Sequence, residues 1–140
     1  MDKKAHFFVR LTWIFMILTA VIHSLSFFTE PKAANETESQ LLYLMQTYKS
    51  DMGAGFHRSM DELFTSISAC LTLMCLLGGL IIRYLSGKVI EPNTFRGVMI
   101  IHTLVFGIAF GVMLFYAFLP PIVCMGLIFI SSGLSAYFLE

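Results

Sequence analysis

The sequence predicts an all-α protein: a polytopic membrane four-helix bundle with both termini in the cytoplasm and one short amphipathic helix in the outward-facing loop between the first two spans. Three observations predict it. Hydrophobic residues make up 57% of the 140-residue chain, against roughly 45–50% in an ordinary soluble domain. The mean hydropathy is +0.80, and the apolar residues are gathered into long segments. We therefore expect an integral membrane domain.

Each apolar segment is long enough to cross the ~30 Å hydrocarbon layer of a bilayer. We expect the first to be a retained anchor, because a signal peptide would have a shorter apolar region and a better cleavage site. Pro31 ends this segment, and Pro120 with Pro121 separates the last two. The single domain 1–140 is thus predicted to contain transmembrane helices at about 7–28, 61–85, 96–118 and 121–139.

The polar loop after the first span is predicted to hold a helix at about 37–51 that lies on the membrane surface or over the mouth of the bundle. Apolar residues recur there at helical spacing, opposite polar ones. Asn35 alone, or Thr37 with Gln40 as a capping box, would begin this helix.

The junction between this loop and the second span carries the strongest local signals. Gly53 and Gly55 are predicted to end the surface helix and to allow a sharp turn. Ser59 and Glu62 have the spacing of a capping box, in which each side chain bonds the backbone amide of the other residue. We therefore expect a helix to begin next to Ser59 and to continue as the second span.

Lysine and arginine predict the orientation, because cytoplasmic segments of membrane proteins carry an excess of them. The N-terminal region and the 83–96 connection hold six of these residues, whereas the 30–58 loop holds three beside a group of acids. Both termini are therefore predicted to be cytoplasmic, and the 30–58 loop is predicted to face outward.

The composition and the motifs disfavour several functional classes. The formal net charge is zero, so nucleic-acid binding has no electrostatic basis. The sequence contains no P-loop, dinucleotide fingerprint or nucleophile–base pair, so it predicts no catalytic residue and identifies no cofactor. The three cysteines lack the spacing of metal ligands, and no metal site is predicted.

The candidate binding site is a set of ionisable residues expected at the outward end of the bundle: His23, Glu30, His57, Asp61 and Glu62. Glu30 follows His23 by seven residues, which places both on one face of the first helix. The other three reach the same level from the start of the second span. Because ionisable groups are costly within membranes and mark functional sites there, we predict that this cluster binds a ligand.

Each member of the cluster also has a structural explanation. Glu62 would cap the second span. The helix dipole would favour the negative charge of Asp61 at the N-terminal end of that span. Glu30 would be solvated. His57 precedes the expected cap at Ser59, so it need not share a helical face with Asp61. His23 would bond a carbonyl or a serine of a neighbouring helix.

Glycines on the later spans predict close helix packing. Packing within the chain is favoured over dimerisation, because four helices joined by short loops must pack on one another. The glycines concerned are Gly78, Gly79, Gly107, Gly111, Gly126 and Gly133.

Several stretches resemble a family of small bacterial four-helix membrane proteins. They lie at 23–31, 35–38, 44–49, 53–60, 76–79 and 118–124. The arrangement is also similar to DoxX-like four-helix membrane proteins and, more distantly, to sterol-isomerase-type bundles that use buried acids and a histidine. The resemblance implies a multi-pass protein of the bacterial inner membrane.

Three functional hypotheses follow. The first is a non-enzymatic membrane protein whose outward-facing mouth binds a small amphipathic, lipid-like ligand or a partner's polar segment. The second is an accessory subunit of a larger membrane complex, which the glycine strips would join. The third is a membrane-embedded enzyme that acts on a lipid or sterol-like substrate by proton transfer through His23 and Glu30 or Asp61.

Overall fold

The computed structural model describes residues 2–29 and 31–139, and these residues are predominantly helical. In chain order the elements are α1 (Lys3–Ser24), a 3-10 helix (Leu25–Phe28), α2 (Glu36–Thr47), β1 (Lys49–Asp51), β2 (His57–Ser59), α3 (Met60–Ser86), α4 (Pro92–Tyr116) and α5 (Leu119–Phe138). Within these residues four helical segments are long and apolar enough to cross a membrane: α1 with the 3-10 helix, α3, α4 and α5. The predicted all-α class is therefore confirmed, and so is the presence of four helices long and apolar enough to cross a membrane.

Some helix ends differ from the predicted ones, and prolines explain two of the differences. α4 begins at Pro92 rather than near residue 96, because proline suits a first helical turn, where its missing amide is not needed. α5 begins at Leu119, so both following prolines lie inside its first turn. The α-helical part of the first span ends at Ser24, and the 3-10 helix continues it to Phe28.

The chain divides into two compact units, of which the first comprises Met1–Thr19 and Cys75–Glu140. α1, α3, α4 and α5 contribute to one buried apolar cluster in this unit. Its members are Ala5, Val9, Met16, Ile82, Phe95, Met99, Ile128, Ala136 and Leu139. Lipid is as apolar as these side chains, so in a bilayer such a cluster is held together by close packing rather than by exclusion of water.

α1 and α3 approach closely where α3 carries two glycines. A Cβ added to Gly79 would lie 2.9 Å from Cγ1 of Ile17 and 3.2 Å from the carbonyl oxygen of Trp13. One added to Gly78 would collide with the terminal methyl of Met16. The predicted close packing at these two glycines is confirmed.

α4 and α5 interlock through two glycines and two phenylalanines. Phe129 of α5 lies against Gly107, and Phe110 of α4 lies against Gly126; an added Cβ would meet the rings at 2.9 and 3.0 Å. The two rings stack with their centroids 6.0 Å apart. Gly111 differs, because nothing lies within 4 Å of its Cβ position. Packing within the chain therefore uses Gly107 and Gly126, as predicted, but not Gly111.

The second unit is Ala20–Met74, and α2 is its first full helix. Asn35 caps this helix: its Oδ1 accepts a 2.9 Å hydrogen bond from the amide of Glu38. The Glu38 carboxylate in turn accepts a 2.6 Å bond from the amide of Ala34. Of the two predicted caps the structure uses Asn35, so the helix begins at Glu36.

α2 ends at Thr47, so the predicted extension to residue 51 and the predicted ending of this helix by Gly53 and Gly55 are wrong, because residues 49–51 form a strand. This strand pairs antiparallel with residues 57–59, with Asp51 opposite His57. Gly53, Ala54 and Gly55 make the turn with φ values of +82°, +53° and +83°. Two glycines are needed there because side chains disfavour positive φ, which confirms the predicted sharp turn.

Candidate ligand-binding site

The second unit contains a cavity of about 750 Å³, which is within the size range of ligand pockets. We call it the α2–α3 cavity. Its lining residues are Ser26, Phe27, Thr29, Pro31, Ala33, Ser39, Leu42, Tyr43, Gln46, Asp61, Phe64, Thr65 and Ser68. The wall therefore combines hydroxyl, amide and carboxylate groups with three aromatic rings.

Two helices supply most of this wall, each through a single face. Residues at i, i+3, i+4 and i+7 lie on one side of an α-helix. On α2 these positions are Ser39, Leu42, Tyr43 and Gln46, and on α3 they are Asp61, Phe64, Thr65 and Ser68.

The capping box at the start of α3 fixes where this wall begins. The Ser59 amide donates to the Glu62 carboxylate at 2.9 Å, and the Glu62 amide donates to the Ser59 hydroxyl at 3.2 Å. The predicted capping box is thus confirmed. Lys49 approaches the same carboxylate at 3.8 Å, with both side chains about half exposed, so this pair contributes little stability. Glu62 acts in the fold and does not line the cavity.

Among the four described site residues, Asp61 is the one that lines the α2–α3 cavity. It is exposed, and among residues 2–29 and 31–139 no hydrogen bond or ion pair involves its carboxylate. It is also the only charged side chain in the described lining. A positively charged or hydrogen-bond-donating group in the cavity could bind this carboxylate.

The hydroxyls that face the cavity from α2 and α3 are also unused. Ser39, Thr65 and Ser68 make no side-chain hydrogen bond to any part of the chain that the structure describes. Ser66, one residue from Thr65 but outside the lining, donates to the carbonyl of Leu63 at 2.8 Å. Hydroxyls on apolar helices often bond their own backbone in this way, whereas the three cavity-lining hydroxyls are available to a ligand.

His23 lies next to one edge of the lining. Its carbonyl oxygen accepts a 2.7 Å hydrogen bond from the lining residue Ser26, and its ring meets the ring of Phe27 edge-on, with the centroids 6.4 Å apart. Its Nε2 is buried, and no described residue bonds it. The Oγ1 of Thr72, one turn beyond Ser68 on α3, is buried in the same state. The second unit thus contains two buried polar atoms, on His23 and Thr72, that lie outside the lining and that no described residue bonds.

The remaining predicted members are placed elsewhere or lie outside the described residues. His57 is exposed on β2, where its partner is the strand residue Asp51. Glu30 lies outside the described residues, although its sequence neighbours Thr29 and Pro31 line the cavity.

No hydrogen bond or ion pair within residues 2–29 and 31–139 joins any two of the four described site residues. The same residues contain no group of three or more His, Cys, Asp or Glu side chains that could hold a metal ion.

His102 on α4 has a structural role. Its Nδ1 lies 2.9 Å from the carbonyl oxygen of Val98; because a carbonyl can only accept, this nitrogen carries the proton. The ring stacks on Phe106 with the centroids 6.3 Å apart.

The sequence interpretation missed most of the cavity wall. One signal was present: Asp61, Thr65 and Ser68 form a polar stripe at helical spacing in an otherwise apolar span. Tyr43 and Gln46 carried no comparable signal, because polar residues are expected on an exposed face of a surface helix. No family model matches the chain, and comparison with curated proteins and with solved structures gives no match.

Proposed function

We propose that the protein is a multi-pass membrane protein that binds a small amphipathic ligand in the α2–α3 cavity. The four apolar helices would form a bundle with both termini in the cytoplasm, and the excess of lysine and arginine near the N-terminus and the 83–96 connection supports this orientation. The resemblance to small bacterial membrane proteins supports the bacterial inner membrane as its location. The cavity would then open on the outward side.

The observation that carries the proposal is the set of unused polar groups in a cavity of ligand size. Thr65, Ser68 and the Asp61 carboxylate line it without hydrogen bonds to described residues. Phe64, Tyr43 and Phe27 bring aromatic surface to the same space. Such a wall matches a ligand with a polar head and an apolar body, because ligand pockets combine aromatic walls with a few orienting polar groups.

The charge of the wall favours a neutral or cationic head. Asp61 is the only charged lining residue in the described part of the chain, and Lys32 does not line the cavity although its neighbours Pro31 and Ala33 do. A carboxylate next to aromatic rings attracts an ammonium group by ion pairing and by cation–π interaction. A lipid with an amine head group is therefore the ligand class that the wall fits best.

The two other hypotheses have weaker support. The accessory-subunit hypothesis relied on glycine strips, and Gly107 and Gly126 are occupied by packing between α4 and α5. The proton-transfer hypothesis needs Glu30 or Asp61 within reach of His23; Glu30 lies outside the described residues, and no hydrogen bond joins His23 to Asp61 among the described ones. We therefore propose ligand binding without catalysis.

Native mass spectrometry of the detergent-solubilised chain tests the proposal, with phosphatidylethanolamine as an amine lipid and diacylglycerol as a neutral one. The variant is Ser68→Leu, which places an isobutyl group in the cavity. The matched control is Ser66→Leu, a residue outside the lining. We expect Ser68→Leu to lose bound lipid and Ser66→Leu to retain it, whereas equal retention by both variants would contradict the proposal.

A second variant tests the role of the carboxylate. Asp61→Asn should weaken phosphatidylethanolamine binding about tenfold or more, because hydrogen bonds to charged groups contribute about 1.5–3 kcal/mol, and should leave diacylglycerol binding unchanged. Glu36→Gln, the same loss of charge on the exposed start of α2, is the control. Equal binding of the amine lipid by Asp61→Asn and the wild type would show that the head group is not recognised there.

A further inference from the structure

A second cavity, of about 340 Å³, lies in the first unit between α1 and α3. We call it the basic groove. Its lining residues are His6, Val9, Arg10, Trp13, Arg83 and Ser86. The α1 members have the spacing i, i+3, i+4 and i+7, and the α3 members have the spacing i, i+3, so each helix presents one face to the groove.

The described lining of the groove is basic: it includes two arginines and a histidine but neither aspartate nor glutamate. Among residues 2–29 and 31–139 no ion pair involves Arg10 or Arg83. Asp2 lines an adjoining cavity of about 420 Å³ that shares His6 and Ser86 with the groove. Both guanidinium groups are therefore available to an anion.

One arginine is also held in position. The guanidinium carbon of Arg83 lies 4.7 Å from the centroid of the Trp13 ring, within the range of a cation–π contact. Stacking on the ring face leaves the N–H groups at the edge of the guanidinium plane free to donate. A fixed, planar donor of this kind binds phosphate through two parallel hydrogen bonds.

Simpler explanations account for the charges but not for the groove. Cytoplasmic ends of spans are enriched in arginine and lysine, and the C-terminal end of α3 favours a cation such as Arg83. Neither effect requires Arg10 and Arg83, which are far apart in the sequence, to line one cavity with Trp13. Their convergence is what an anion-binding site requires.

We propose that the basic groove binds a phosphate anion, either in an anionic lipid head group or free in solution. The arginines bind the phosphate oxygens, and the Trp13 ring holds Arg83 in the geometry for doing so. The adjoining cavity, with Phe95, Phe138 and Ile90 in its wall, provides apolar surface for the rest of a lipid. This site is independent of the α2–α3 cavity, because it lies in the other unit and takes a ligand of the opposite charge.

The test measures binding of phosphatidylglycerol, phosphatidylcholine and inorganic phosphate to the full chain by native mass spectrometry and by thermal shift. The variant is Arg10→Gln with Arg83→Gln. The control is Arg58→Gln, which removes an arginine exposed on β2. We expect the wild type to bind phosphatidylglycerol at least about tenfold more tightly than phosphatidylcholine, the double variant to lose this preference, and the control to keep it.

The binding measurements distinguish a lipid head group from free phosphate, and they also show which results would contradict the proposal. Competition between inorganic phosphate and phosphatidylglycerol for the wild type supports one phosphate site that accepts either source. Binding of phosphatidylglycerol without such competition supports a site for the lipid head group alone. Absence of any preference for phosphatidylglycerol, or an equal loss in the Arg58→Gln control, overturns the proposal. Should the double variant fail to fold, the lipid preference of the wild type and its loss at high salt decide the question.

Discussion

The interlock between α4 and α5 allows the free energy of helix packing to be measured with two matched substitutions. Gly107→Ala adds a methyl group that would lie 2.9 Å from Cε2 and 3.1 Å from Cδ2 of Phe129. Gly111→Ala adds the same group one turn further along the same helix, where nothing lies within 4 Å. Phe129 cannot move without disturbing its stack on Phe110.

The two substitutions change the free energy of unfolding by the same contributions except for the one from packing. Alanine favours the helix over glycine by about 1 kcal/mol at either position, so this term cancels in the difference. Overpacking costs about 1–3 kcal/mol, and a disturbed aromatic pair costs up to about 1.5 kcal/mol more. We therefore expect the free energy of unfolding of Gly107→Ala to be lower than that of Gly111→Ala by about 1–4.5 kcal/mol.

Thermal unfolding of the detergent-solubilised variants, followed by far-ultraviolet circular dichroism, measures this difference. Gly111→Ala should unfold at or above the wild-type temperature, and Gly107→Ala below it. Equal unfolding temperatures for the two variants would refute the reasoning, because they would show that Phe129 does not constrain position 107.

Three further predictions concern the second unit, and the same unfolding measurement checks each. Ser59→Ala should lower the free energy of unfolding by about 0.5–2 kcal/mol through loss of the capping box, whereas His57→Ala, on the exposed strand, should change it by less than about 0.5 kcal/mol; equal losses would show that His57 belongs to the fold. Gly53→Ala should cost about 1–2 kcal/mol because its φ of +82° disfavours a side chain, and an unchanged stability would count against the turn geometry. Thr72→Val should raise the free energy of unfolding by about 1 kcal/mol, because it removes a buried hydroxyl that no described residue bonds; a loss of stability would instead show that the hydroxyl has a partner.

Those features of the fold that depend on local spacing could be predicted from the sequence. The apolar segments set the number of candidate spans, and the positions of Ser59 and Glu62 set the start of α3. The hairpin could not be predicted, because Tyr48 and Met52 continue the helical spacing of the preceding residues. What ends α2 is pairing with residues 57–59, a contact that lies outside any local window.

The candidate site shows the same limit in another form. Counting residues along a span predicts the level at which His23 and Asp61 lie, since each residue of a helix adds about 1.5 Å. It does not predict which neighbour each side chain meets, because that depends on the rotation of each helix about its axis. Asp61 consequently lines the cavity, whereas His57 lies on a strand that the sequence interpretation did not contain.

Two hydroxyl groups that line the α2–α3 cavity from α3 lack, among the described residues, the hydrogen bonds that stabilise such groups in a membrane-spanning helix. A buried or lipid-facing hydroxyl costs free energy unless it is bonded, and the hydroxyls of Ser131 and Ser132 on α5 bond their own helix at 3.1 and 3.0 Å. Ser66 does the same on α3. Thr65 and Ser68 do not, and both line the α2–α3 cavity. Thr65 and Ser68 are thus left available on the face of α3 that borders the α2–α3 cavity. A ligand bound in this cavity would supply the hydrogen-bond partners that both hydroxyls lack among the described residues.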